Sequence, residues 1–185
     1  ASLVLGQIEM ENAKYADARE DFQRVVEKGD NLEQRSSASL NVADLFAREG
    51  NYRDAELAFR KADESANNYL GEYRARIGIA RMLAKQGRSD SAIDQLRKLR
   101  ANSNYREFFG EIDLEIAHTY RDGNDLDAAI QQYKYVDTMY ARSEKSANSY
   151  FALGQLYETR FILLDSARVA YNKGKSEFPL ALVTP

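Results

Sequence analysis

The segment GNYRDAELAF, residues 50–59, joins a turn signal to a helical pattern. Gly50 and Asn51 are turn formers. Tyr52, Ala55 and Phe59 follow at spacings of three and four residues, which place them on one helix face. The segment has four relatives: NAKYADAREDF at 12–22, GRSDSAIDQL at 87–96, GNDLDAAIQQY at 123–133 and ILLDSARVAY at 162–171. Ala18, Ala55, Ala92 and Ala129 are spaced by 37 residues, and Ala167 follows at 38. Four residues after each alanine stands a large apolar side chain: Phe22, Phe59, Leu96, Tyr133 and Tyr171.

The same step governs the residues before each turn. Gly6, Ala43, Ala80, Ala117 and Gly154 are small, and each follows an aliphatic residue: Leu5, Val42, Ile79, Ile116 and Leu153. An apolar ladder runs Leu3, Leu40, Ile77, Leu114 and Phe151. Three residues after the small ones come Glu9, Phe46, Leu83, Tyr120 and Tyr157, and only Glu9 breaks the apolar pattern. Several ladders at one period are the mark of a repeat array. Each unit reads as two helices joined by a turn. Small residues permit close helix approach, large ones fill the space between units, and no unit buries its apolar faces alone. The helix pairs are expected near 2–28, 37–66, 73–101, 110–140 and 147–177, a single repeat array over 1–185.

Composition agrees. The chain has 185 residues, enough for one domain or a short array. Two prolines and many Ala, Glu, Arg and Leu favour helix throughout. Without cysteine there is no disulfide framework and no cysteine–zinc site. A net charge of −3, from 26 basic and 29 acidic residues, argues against broad nucleic-acid binding, which wants a basic face. No apolar run is long enough to span a membrane. The chain begins ASLVLGQIEM, without a signal peptide or an initiator Met, so the expectation is a fragment of a longer protein, with its compartment left open between cell envelope and cytoplasm.

These ladders resemble the tetratricopeptide repeat, whose pattern is W-x2-L-G-x2-Y, then A-x3-F, then a proline. The last unit matches most fully, with Tyr150, Leu153, Gly154 and Tyr157, then Ala167 and Tyr171, then Pro179. The second has Val42, Ala43 and Phe46, then Ala55 and Phe59. The resemblance covers nearly the whole chain. It implies an all-α, right-handed α-solenoid superhelix of about five helix–turn–helix repeats. The period of 37 departs from the family's 34, and the first four units lack the proline. Within the first four units the small residue and the key alanine stay 12 apart, as Gly6 and Ala18 do, so the additional residues fall between units and lengthened helices are expected to absorb them. Longer repeats with starts like LGQLYE are similar to those of bacterial cell-envelope repeat proteins.

Catalytic and metal motifs are absent: no GxSxG, GxGxxG, P-loop or HExxH. The single histidine, His118, has no partner at metal spacing and reads as a surface histidine on a first helix. RDGNDLD, 121–127, lacks the ligand frame of an EF-hand loop and reads as a turn with Asp125 or Asp127 capping a helix. RKLR, 97–100, reads as a solvated face and the tyrosines as packing. The reading is a non-catalytic protein with no metal or cofactor.

The resemblance implies that the first helix of each pair lines a concave groove that binds a peptide or protein segment. One step after each small residue lies a polar row: Gln7, Asp44, Arg81, His118 and Gln155. One flanking row holds Ser37, Arg74, Glu111 and Asn148, another holds Glu11, Arg48, Lys85, Asp122 and Thr159, and Asn41 is a further groove candidate. Arg48, Arg74, Arg81 and Lys85 make the middle units basic with Asp44 as the exception, which points to an acidic segment as partner. The family's clamp for a chaperone's acidic tail is not met: Asn41 and Arg74 match, but Leu3, Gln7 and Gly78 stand at its other places. Leu3, Val4, Leu5 and Ile8 have no preceding helix to cover them, and the end EFPLALVTP is apolar. Terminal repeats ordinarily present a polar face, so self-association or neighbouring repeats are expected there. The rival readings are a structural or oligomerisation module of a larger envelope or signalling protein and, further off, an RNA-binding helical repeat.

Overall fold

The computed structural model describes residues 2–178, so Pro179 and the rest of the apolar terminus lie outside the described residues. Among these there are ten α-helices and no strand. They run in pairs: α1 (Ser2–Glu11) with α2 (Tyr15–Lys28), α3 (Leu32–Arg48) with α4 (Tyr52–Glu64), α5 (Tyr69–Lys85) with α6 (Ser89–Ala101), α7 (Phe109–Asp122) with α8 (Leu126–Met139), and α9 (Glu144–Thr159) with α10 (Leu164–Glu177). The chain divides into two compact units, one ending at Tyr105 and the other beginning at Arg106. The break falls inside a short 3-10 segment, Ser103–Phe108, whose backbone leaves helical geometry at Tyr105. The sequence patterning gives no sign of this division.

The turns explain the quoted motif. Helices α2, α4, α6, α8 and α10 are each preceded by one residue in the left-handed region just before the N-cap: Ala13, Gly50, Gly87, Asn124 and Ile162. In the first four turns the N-cap amide donates back five residues, as Asn51 N–H does to the Phe46 carbonyl at 2.9 Å. This is the six-to-one bond of a Schellman turn, which needs a residue at positive φ. In the fifth turn Leu163 N–H reaches Tyr157, six residues back. The single added residue between Ala129 and Ala167 is therefore housed in that turn. Asn51 and Asp125 then cap α4 and α8 by accepting from the amides of Asp54 and Ala128.

First helices start earlier than the ladders suggest: at Leu32, Tyr69 and Glu144 rather than near 37, 73 and 147. Asn31, Asn68 and Ser143 cap them by accepting from the amides of Gln34, Gly71 and Ser146. The extra turn is polar or exposed, so it adds nothing to an apolar ladder and escapes a reading based on hydrophobic period.

Packing within each unit follows the small-against-large rule. A Cβ built on Gly6 would fall 2.8 Å from the Phe22 ring, and one on Gly154 would fall 2.4 Å from Tyr171. Phe59 also meets the following pair, since a Cβ on Gly78 would lie 2.5 Å from its ring. Ala18, Ala43, Ala55, Ala80 and Ala92 are fully buried in the first unit, and Ala117 and Ala129 in the second. Polar ties reinforce adjacent pairs. Ser36 Oγ donates to the Ala62 carbonyl at 3.1 Å, and Ser149 Oγ to the Tyr133 carbonyl at 2.6 Å.

Candidate functional site

In the first unit, the candidate residues sit on α1, α3 and α5. Gln7 is exposed on α1, and Asn41 is half-buried on α3. The structure gathers four of them. Asp44 of α3 is half-buried, and its carboxyl is within electrostatic reach of Arg74, Arg48 and Arg81. Burial pushes this carboxyl above its ordinary range, and the three guanidinium groups pull it down without cancelling the burial. Arg48 lies 5.8 Å from the centre of the Tyr15 ring, which stiffens it through a cation–π contact. Arg74 and Lys85 are exposed on α5, with Arg81 half-buried between them. The result is a patch in which three arginines lie within electrostatic reach of one carboxylate.

The remaining candidates belong to the second unit. Glu111 is half-buried on α7, Asp122 pairs with its neighbour Arg121 at 2.8 Å, and Gln155 is exposed on α9. His118 corrects the expectation of a surface histidine. It is half-buried, its Nδ1 lies 2.7 Å from the Tyr133 hydroxyl, and the two rings meet edge to face at 5.5 Å. Tyr133 is fully buried, and that burial pushes its hydroxyl well above the usual tyrosine range. A tyrosine at the A-x3-F position carries a hydroxyl that phenylalanine and leucine lack. The Tyr133 hydroxyl reaches His118, one residue past Ala117 on the facing helix, whereas that of Tyr171 donates to Glu158 at 2.7 Å and leaves Gln155 exposed.

Sequence reasoning missed a second kind of surface. Each unit holds a groove between successive second helices, floored by the first helix between them. In the first unit it is about 270 Å³ and is lined by Val42, Phe46, Leu57, Ala58 and Lys61. In the second it is about 660 Å³, and the corresponding places hold Leu153, Tyr157, Val169, Ala170 and Lys173. The missed signal is one repeat column, Leu57, Asp94, Gln131 and Val169, in which the apolar Leu57 and Val169 wall these two grooves.

Among the described residues, no group of three metal-binding side chains is clustered, and no helix is long and apolar enough to cross a membrane. Residues 3–69 match the tetratricopeptide repeat model. No curated protein matches the chain. Three solved structures resemble it in fold. MamA has a TM-score of 0.65 at 16% identity, covering 93% of this chain and 93% of that one. YrrB, a tetratricopeptide protein with an unusual peptide-binding site, has 0.60 at 14% identity, covering 97% and 86%. A putative kinesin light chain from Podospora anserina with nearly identical repeats of this kind has 0.68 at 14% identity, covering 95% and 92%.

Proposed function

We propose that this tetratricopeptide repeat chain is a non-catalytic scaffold that holds an acidic peptide segment against the first helices of its second and third pairs. The observation that carries the reading is the set of Arg48, Arg74 and Arg81 around the half-buried Asp44. A guanidinium offers five donors in a planar fork that matches a carboxylate, so three of them on neighbouring first helices suit an acidic ligand. Asp44 lies within electrostatic reach of all three, and Lys85 extends the basic surface along α5. Repeats of this family are in general non-catalytic and bind proteins or peptides, and the peptide-binding site of YrrB supports a peptide as the occupant.

The test is the double variant Arg74→Ala plus Arg81→Ala, with helicity checked by circular dichroism. A fluorescein-labelled poly-glutamate peptide is titrated by anisotropy at low salt and again at high salt. The variant should bind at least about tenfold more weakly, and wild-type affinity should fall with salt as screened charges require. Unchanged affinity in a folded double variant would sink the reading.

A structural or oligomerisation role is favoured by one separate observation. Leu5 and Ile8 of α1 are each 48% exposed, whereas Val42 and Leu45, their counterparts on α3, are buried. Leu3, expected on the same open face, instead packs against the core.

A further inference from the structure

Second helices cover the first helix of the next pair through fixed columns of the repeat. One residue after the key alanine, Arg19 of α2 donates to Glu49 at 2.6 Å and lies 5.1 Å from the centre of the Phe46 ring. Glu56 holds the same place on α4 and accepts from Gln86, the residue 37 after Glu49, at 2.8 Å. Four residues after the alanine, Phe59 of α4 meets α5, where a Cβ on Gly78 would lie 2.5 Å from its ring. Each second helix thus has an onward face, and each first helix a receiving face.

On α1 and α10 these faces are open. The column of Leu5 continues through Val42, Ile79, Ile116 and Leu153, and that of Ile8 through Leu45, Met82, Thr119 and Leu156. All of these are buried except Leu5 and Ile8 themselves. Val4, at the place of Gly78, is 60% exposed. On α10, Tyr171 is half-buried where Phe22, Phe59 and Tyr133 are buried. Arg168 is exposed where Arg19 and Ile130 are half-buried and Glu56 is buried.

The polar residues on the two open faces are complementary. Glu9 takes the place that Phe46 holds beneath Arg19, and it is the acidic break in an apolar ladder. Its Oε2 is buried and has no hydrogen-bond partner among the described residues. Burial, and after it the charges of Asp21 and Asp17, push this carboxyl above its ordinary range, and Lys14 and Arg24 do not offset them. Leaving such an oxygen unpaired is costly, and a cationic donor relieves the cost. Arg168 takes the place of Arg19. Its partner Asp165 is 3.3 Å away, and both side chains stand largely in water, where an ion pair is weak and easily exchanged. The wider balance has the same sense. Residues 164–177 carry three basic and two acidic side chains, whereas residues 2–28 carry six acidic and four basic.

We propose that α10 of one copy of this chain seats on α1 of a second copy as α2 seats on α3, with Arg168 paired to Glu9. Tyr171 then packs toward Val4, and Leu5 and Ile8 are covered as their counterparts are. The contact is heterologous, since it joins two different faces of the same chain. An isologous contact of α1 with α1 buries the same apolar residues but brings no arginine to Glu9. The inference rests on the oligomerisation role that exposed α1 favours, and it is separate from the arginines of α3 and α5.

The experiment is analytical ultracentrifugation of the full chain over a wide range of concentration. It compares wild type, Glu9→Arg, Arg168→Glu, the chain with both changes, and an equal mixture of the two single variants. Circular dichroism melts check that each variant is folded. Wild-type mass should rise with concentration, and each single reversal should weaken association by at least about tenfold, because like charges then face each other. The doubly changed chain and the mixture should both recover association, since each restores an opposite-charge pair at the contact. That recovery also shows that loss in the single variants is not misfolding. A wild-type chain that stays monomeric at every concentration would overturn both the proposal and the oligomerisation role. Association that ignores the single reversals, or that neither the double change nor the mixture recovers, would overturn this interface while leaving self-association in place.

Discussion

Ile162 and Gly50 occupy the same place in their turns, and the contrast is a measure of local cost. Gly50 at φ 77° has nothing within 4 Å of a would-be Cβ, so it is required by conformation and not by crowding. An L-residue in this region costs about 1–2 kcal/mol. Ile162→Gly should recover roughly 1 kcal/mol, reduced by the added freedom of glycine in the unfolded chain. Crowding governs other positions. Ala80 is fully buried, and Ala80→Leu should destabilise by about 1–3 kcal/mol through overpacking. Gly154→Ala should do likewise, because its Cβ meets a ring at 2.4 Å. Chemical denaturation of both variants checks this, and a wild-type midpoint for either would mean the small-against-large register is misplaced. These positions were legible in the sequence because a repeat writes the same steric demand several times. The strain at Ile162 was not, since the motif ILLDSARVAY looks helical and gives no hint that its first residue sits at positive φ.

At the scale of elements, α4 and α5 are joined by one buried carboxylate. Glu56 of α4 accepts from Arg60 at 2.7 Å and from Gln86 at 2.8 Å, with Arg88 at 3.4 Å. Burial alone would raise the Glu56 carboxyl, but these donors outweigh it and hold it below its ordinary value of 4.5. A carboxyl with a depressed folded value binds fewer protons than in the unfolded chain, so it stabilises above pH 4.5 and loses that contribution as pH falls through the folded value. Glu56→Gln should therefore lower stability at neutral pH by about 1–2 kcal/mol, the scale of a charged hydrogen-bond network partly open to solvent. It should also flatten the pH dependence below pH 4.5, which urea melts at several pH values would read. An unaltered acid limb in the variant would show that Glu56 does not carry it. Asp44 has the opposite sign: burial raises it more than the nearby arginines lower it, so the folded site disfavours its charge. Sequence spacing placed Asp44 and Arg81 in one row. It could not indicate that Asp44 would be half-buried or that Arg74 would join it, since both depend on how closely α3 and α5 approach.

For the molecule as a whole, the exposed Leu5 and Ile8 of α1 offer a test of self-association. Leu5→Gln plus Ile8→Gln should change stability by less than about 0.5 kcal/mol in a monomer, because both side chains are already half in water. A larger loss, with a mass that rises with concentration in wild type only, would place that face in a self-interface. Sequence alone determined the helix pairs and their small and large contact positions. Those features depend on steric and chemical identity repeated at fixed spacing, and repetition makes them readable. Tertiary structure decided the rest. The division at Tyr105, the drawing-in of His118 by Tyr133, the carboxylate within reach of three arginines and the groove between α8 and α10 each arise where non-adjacent side chains meet. Such meetings depend on the distance and rotation between helices, which no single helix period encodes. The motif GNYRDAELAF shows both halves: its spacing announces a turn and a packed face, while the networks made by its own Glu56 appear only once α5 is in place.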